Sequence, residues 1–188
     1  MFKTDQKAIA RFAAKSPKNT ARVIEFVLVS IRRNFAQVEH HMTGEMPING
    51  LMRTTSRGIQ YAKDNALELH ALINDPHMTL RDKLLGVCAV PGLGIPKAGF
   101  VLQLCLGQAG CLDTHNLREF SLKASAFSLT KSIAGNQRKA QVYLDCIEKL
   151  GGSEFLWDFW CRFIADRHKG LWKSAQAVSK SHVRAIVK

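Results

Sequence analysis

From Leu84 to Phe100 the chain reads Leu84-Leu85-Gly86-Val87-Cys88-Ala89-Val90-Pro91-Gly92-Leu93-Gly94-Ile95-Pro96-Lys97-Ala98-Gly99-Phe100, a run that allows few folds. Apolar residues on both flanks fit helices. Pro91-Gly92-Leu93-Gly94 fits a very short turn, because glycine tolerates positive φ and lets another backbone come close. Pro96 suits the opening of the second helix, where its missing N–H costs nothing. The run therefore predicts helix, glycine hairpin, helix. A lone carboxylate follows on a connecting turn, in Leu112-Asp113-Thr114-His115.

The start of the second helix leaves backbone N–H groups free, which makes it a ready anion site. The 188-residue chain has 27 Lys and Arg against 15 acids, a net charge of +12, and a pI near 9.8. Charge alone leaves a generally basic protein and a nucleic-acid binder about even; the hairpin tips the balance toward DNA phosphate.

In this order the residues resemble the helix-hairpin-helix DNA glycosylase superfamily, which includes endonuclease III and the adenine-DNA glycosylases. The similarity rests on Val90-Pro91-Gly92-Leu93-Gly94, on the helix Ala98-Gly99-Phe100-Val101-Leu102-Gln103-Leu104-Cys105-Leu106-Gly107, and on Leu112-Asp113-Thr114-His115, within residues 84–120. It implies an all-α, two-lobed helix-hairpin-helix fold over a single domain, 1–188. Double-stranded DNA would enter a basic groove, and a damaged or modified base would be flipped out. Asp113 would assist hydrolysis of the N-glycosidic bond. Gly92, Gly94, Ile95, Lys97 and His115 would meet DNA, with a monovalent cation on the hairpin carbonyls.

Two departures from the family pattern matter. Bifunctional relatives carry a Schiff-base lysine two residues after the second hairpin glycine, where this chain has Pro96; Lys97 comes one position later. One residue is about 100° of helix rotation, so the pattern predicts a monofunctional glycosylase. Lys97 stays a second catalytic candidate, since an amine of lowered pKa is a nucleophile, although a lysine beside a hairpin more often meets a phosphate. An iron–sulfur cluster needs closely spaced cysteines near the C-terminus. Only Cys146 and Cys161 lie there, far apart, so neither a cluster nor any other cofactor is expected.

Plain alternatives stand beside these roles. Asp113 can be the cap of a helix opening at Thr114-His115, and Gly92 and Gly94 can form an ordinary turn. His115 can be structural. His40-His41, His70, His77, His168 and His182 lack metal-ligand spacing, so no metal site is expected. Three other function classes remain open: a viral-type DNA base-modifying transferase with a glycosylase-like fold, a non-catalytic helix-hairpin-helix DNA-binding protein, and a helical protein-interaction domain.

The rest of the chain also reads as helix. Val23, Ile24, Val27, Ile31 and Phe35 predict a helix over 20–38, and Ile59, Ala62, Leu67 and Leu72 one over 55–74, stopped by Asp75-Pro76. Thr43 to Gly50 is a predicted loop. Thr79 opens the helix leading into the hairpin. A short helix should run to Phe120, followed by a Ser/Ala/Thr-rich connection over 121–132. Gly135-Asn136 should precede a helix to Leu150, and Ser153 should cap a helix bearing Phe155, Trp157, Phe159, Trp160 and Phe163. A basic tail runs from His168 to Lys188. Arg32-Arg33, Arg53, Arg57, Lys131, Arg138, Lys139, Arg167, Lys169, Lys173 and Lys180 supply charge in scattered segments, and their convergence is not readable. Five cysteines at irregular positions fit reduced thiols rather than a disulfide framework. Pro91, Pro96, Lys97 and the glycines argue against a membrane span in the apolar run 84–112, and the first residues lack a signal-peptide core. A monomer inside the cell is expected, in the cytoplasm or nucleoid or in a host cell's cytoplasm.

Overall fold

Ser16, Thr79, Asp113 and Ser132 each start a helix by accepting a backbone N–H on a side-chain oxygen. The computed structural model describes residues 2–31, 35–45 and 50–159, with 2–5, 35 and 36 given by backbone alone. Helix α1 (Phe2–Ala14) precedes α2 (Pro17–Val29), whose N-cap Ser16 accepts the Asn19 N–H while Pro17 sits in the first turn. Then come α3 (Phe35–Thr43), α4 (Arg53–Asp64), α5 (Ala66–Asn74) and α6 (Leu80–Val87). Thr79 caps α6 by accepting the Asp82 N–H, and its hydroxyl donates to the Asp82 carboxylate at 2.6 Å. That bond and neighbouring Arg81 hold the Asp82 carboxyl below its ordinary range. Helices α7 (Ile95–Leu106), α8 (Thr114–Glu119), α9 (Ile133–Lys149) and α10 (Gly152–Phe159) complete the set, with a 3-10 turn at Ala124–Phe127. The described residues contain helices and no strand, so the fold is all-α.

Helices α2 and α7 are buried on nearly every side, as expected of central helices. They pack on each other, with the Phe26 and Phe100 rings edge to face at 6.4 Å. Around them, α1, α4 and α5 cover α2, while α1, α6 and α9 cover α7. Helix α10 closes against α9 and α1. The buried apolar side chains join in one cluster running from Ile9 to Trp157. Among the described residues no helix is long and apolar enough to cross a membrane.

Several predicted boundaries move. The helix expected over 20–38 ends at Val29, because the Ser30 hydroxyl turns back to the Val27 carbonyl at 2.8 Å and competes with the helical ladder. The helix expected over 55–74 is two helices. Asn65 breaks it by donating its side-chain amide to the Tyr61 carbonyl at 2.8 Å. The break resets the phase of α5, so Leu67, expected in the core, is 68% exposed. Gly135 and Asn136 lie inside α9 rather than before it, since Ser132 is the cap and accepts the Gly135 N–H. Ser153 is not a cap; the positive φ of Gly151 and Gly152 makes the turn, and Ser153 lies within α10. Helix α1 has no counterpart in the sequence reading. Thr43 ends α3, and Arg32-Arg33, residues 46–49 of the expected loop, Trp160, Cys161, Phe163, Arg167 and the basic tail lie outside the described residues.

Candidate active site at the glycine hairpin

Helix α6 ends as Cys88 donates its N–H to the Leu84 carbonyl, and the Leu93 N–H then closes a turn on Val90 at 3.0 Å. Gly92, at φ +90°, occupies the left-handed half of backbone space in that turn. Gly94 does something different. Its backbone is extended, it serves as N-cap of α7, and its carbonyl takes the Lys97 and Ala98 N–H groups. Among the described residues, the N–H groups of Gly92, Gly94 and Ile95 make no bond to a backbone carbonyl. Ile95 is fully buried, its backbone included.

The hairpin rests on α4. A Cβ at Gly58 would collide with the Pro91 carbonyl oxygen, and one at Gly92 would lie 3.5 Å from the Thr54 carbonyl oxygen. The helix carrying the exposed Arg53 and Arg57 is therefore the one beneath the turn. Lys97, half-buried in the first turn of α7, holds its ammonium 5.8 Å from the Phe100 ring centroid, within cation–π range.

Asp113 is half-buried and caps α8. Its Oδ1 accepts the N–H groups of both His115 and Asn116 at 2.9 Å. The three residues before it have no neighbouring strand, and side chains from separate helices supply their backbone partners. Tyr143 of α9 donates its hydroxyl to the Gly110 carbonyl at 2.5 Å and accepts the Leu112 N–H at 3.2 Å. Gln103 of α7 accepts the Cys111 N–H at 3.1 Å, and the Asn116 amide donates to the Cys111 carbonyl. The same Tyr143 oxygen lies 3.4 Å from the Pro96 carbonyl, on the first turn of the hairpin helix. Gly99 makes this docking possible: a Cβ there would stand 2.6 Å from the Gly110 oxygen and 2.7 Å from the Tyr143 hydroxyl.

The fold thus brings Asp113, Lys97 and Cys111 into one neighbourhood. Burial pushes the Cys111 thiol up to about 12; the Lys97 charge opposes that shift and the Asp113 charge adds to it. Burial likewise raises the Cys88 and Cys105 thiols to about 12, and it drives the Tyr143 hydroxyl well above its ordinary range. The inward-facing thiols and phenol are therefore neutral near pH 7.

His115 is half-buried in the first turn of α8, beside Asp113. Trp157 is 2% exposed and belongs to the core. Of the scattered basic residues, Lys131 and Arg138 are exposed, while Lys139 donates to the Ser125 carbonyl at 2.9 Å. No group of three potential metal ligands occurs among the described residues. A separate cleft of about 330 Å³ lies between the start of α6 and α9, lined by Arg81, Asp145 and Glu148 among others. It shares no residue with the Asp113 segment. Tyr143, Gln103 and Asn116 carry no local sequence signal, because each acts on a segment distant from, or folded back on, its own. No family model, curated protein or solved structure matches the chain.

Proposed function

We propose that this protein is a monofunctional DNA glycosylase of helix-hairpin-helix type, its two-lobed fold accepting a flipped base near Asp113. One observation carries the reading: the Asp113 segment is docked, through Tyr143 and Gly99, on the first turn of the helix that the glycine hairpin opens. The group expected to hold a DNA phosphate and the group expected to work on the sugar thus share one structural unit. Hydrolysis breaks the bond between the sugar C1′ and the base nitrogen. Water supplies the new C1′ oxygen, and the base departs with a proton. Positive charge grows on the sugar in the transition state, and an ionised Asp113 stabilises it there more than in the ground state. The +12 charge supports an anionic partner.

The test is mass spectrometry of bases released from duplexes bearing damaged and modified bases. The Asp113→Asn variant keeps a carbonyl oxygen for capping and removes the charge. Release should fall by about two orders of magnitude or more, with thermal stability and DNA affinity close to wild type. Full release by the variant refutes the catalytic assignment.

The double cap on Asp113 Oδ1 favours a second reading, a non-catalytic DNA-binding protein in which this carboxylate only starts α8. It predicts salt-dependent duplex binding with no released base, and a loss of stability in Asp113→Ala of about 0.5–2 kcal/mol.

A further inference from the structure

We infer that Tyr143 is a positioning residue for Asp113, acting from α9 through the backbone of Gly110 and Leu112; this rests on the catalytic reading of Asp113. Residues 110–112 are buried and lie outside regular secondary structure. A buried backbone without a ladder is stable only if side chains take up its polar groups. Here they do so for four of the six groups. Tyr143 serves the Gly110 carbonyl and the Leu112 N–H, Gln103 the Cys111 N–H, and Asn116 the Cys111 carbonyl.

The tyrosine hydroxyl has one proton. Gly110 O at 2.5 Å receives it, and the oxygen remains an acceptor for Leu112. The polarity of that pair fixes the direction of the chain immediately before Asp113. The ring cannot slide away, because it is fully buried with the Phe127 ring edge-on at 5.1 Å and the Gly99 backbone against its hydroxyl. Leu112 is itself fully buried, which anchors the residue adjoining the carboxylate. Tyr143 therefore determines where the Asp113 carboxylate stands relative to the hairpin helix. It touches no substrate.

Tyr143→Phe keeps the ring and removes only the oxygen. In the full-length variant, amide hydrogen exchange at residues 110–116 should speed up by about tenfold or more, the scale of leaving a buried N–H and C=O unpaired. Exchange in α2 and α5 should stay at wild-type rates. In single-turnover base release from duplexes carrying uracil, hypoxanthine or 8-oxoguanine, the rate should fall about tenfold or more, with duplex affinity within about twofold. Because Tyr143 acts through Asp113, adding Tyr143→Phe to Asp113→Asn should cause no further loss of rate. Unchanged exchange at 110–116, or additive losses in the double variant, overturns the positioning role. Should Tyr143→Phe not fold, Gln103→Met removes the adjoining bond to Cys111 and must give the same local exchange signature. A wild type that releases no base, or an Asp113→Asn variant that releases it at full rate, sinks the catalytic reading instead. The exchange result separates the two failures.

Discussion

Replacing Gly99 with alanine tests the claim that the hairpin helix and the Asp113 segment are locked by close backbone approach. Inside a helix, alanine is favoured over glycine by about 0.5–1 kcal/mol. On propensity alone, Gly99→Ala in α7 should stabilise the protein. Packing opposes this. The new Cβ would stand 2.6 Å from the Gly110 carbonyl oxygen and 2.7 Å from Tyr143 Cε1 and Oη. Ordinary carbon contacts are about 3.5–4.0 Å, so α7 and the 110–112 segment must part by roughly 1 Å. Neither can give easily, since one neighbour is backbone and the other a fully buried ring. Overpacking of this kind costs about 1–3 kcal/mol. Weakening the Tyr143–Gly110 hydrogen bond costs about 1–3 kcal/mol more. After the helical gain is subtracted, the expected net loss is about 1–5 kcal/mol. Urea unfolding should show it as a lower midpoint at unchanged m-value. Gly86→Ala is the control. Its Cβ would collide with Leu72 Cδ1 and stand 3.2 Å from Cδ2 and 3.3 Å from Cγ, a half-buried side chain rather than backbone, so that variant should lose less stability than Gly99→Ala. A Gly99→Ala protein as stable as wild type, or more so, would show that the close approach does not lock the two segments.

Two further outcomes are expected. Lys97 follows Pro96 in α7 and leans on the Phe100 ring, so borohydride should trap no covalent DNA adduct; efficient trapping that vanishes in Lys97→Gln would make the protein bifunctional. Gly92 sits at φ +90° on the exposed turn, a conformation in which a β-branched residue is strained by about 1–3 kcal/mol, so Gly92→Val should weaken salt-dependent duplex binding about tenfold in a filter or fluorescence assay. Wild-type affinity in a folded Gly92→Val variant would remove the hairpin from the interface.

Some of this molecule is local and was legible in the residues. Thr79 caps α6, the hairpin turns on Gly92, and Asp113 opens α8, because a cap or turn needs only the few residues around it. The helical class follows from apolar spacing, and Val23, Ile24 and Val27 are indeed buried in α2. The breaks at Ser30 and Asn65 were less visible, because a serine or asparagine side chain bonds the backbone only where packing turns it that way. Leu67 shows the consequence: once Asn65 resets the phase, an apolar residue at a plausible spacing faces water. The glycines divide in the same way. Gly92 is needed for its φ, which a turn reveals, whereas Gly58 and Gly99 are needed for what lies against them. The residues that hold the candidate site are the least legible of all. Tyr143 and Gln103 reach Asp113's neighbours across sequence separations of 31 and 8, and nothing in their own segments marks them. The sequence by itself determined a basic, all-helical chain with a glycine hairpin and a capped Asp113. Only the tertiary structure decided which side chains satisfy the buried backbone before that aspartate, because pairing of buried polar groups depends on which helices pack together.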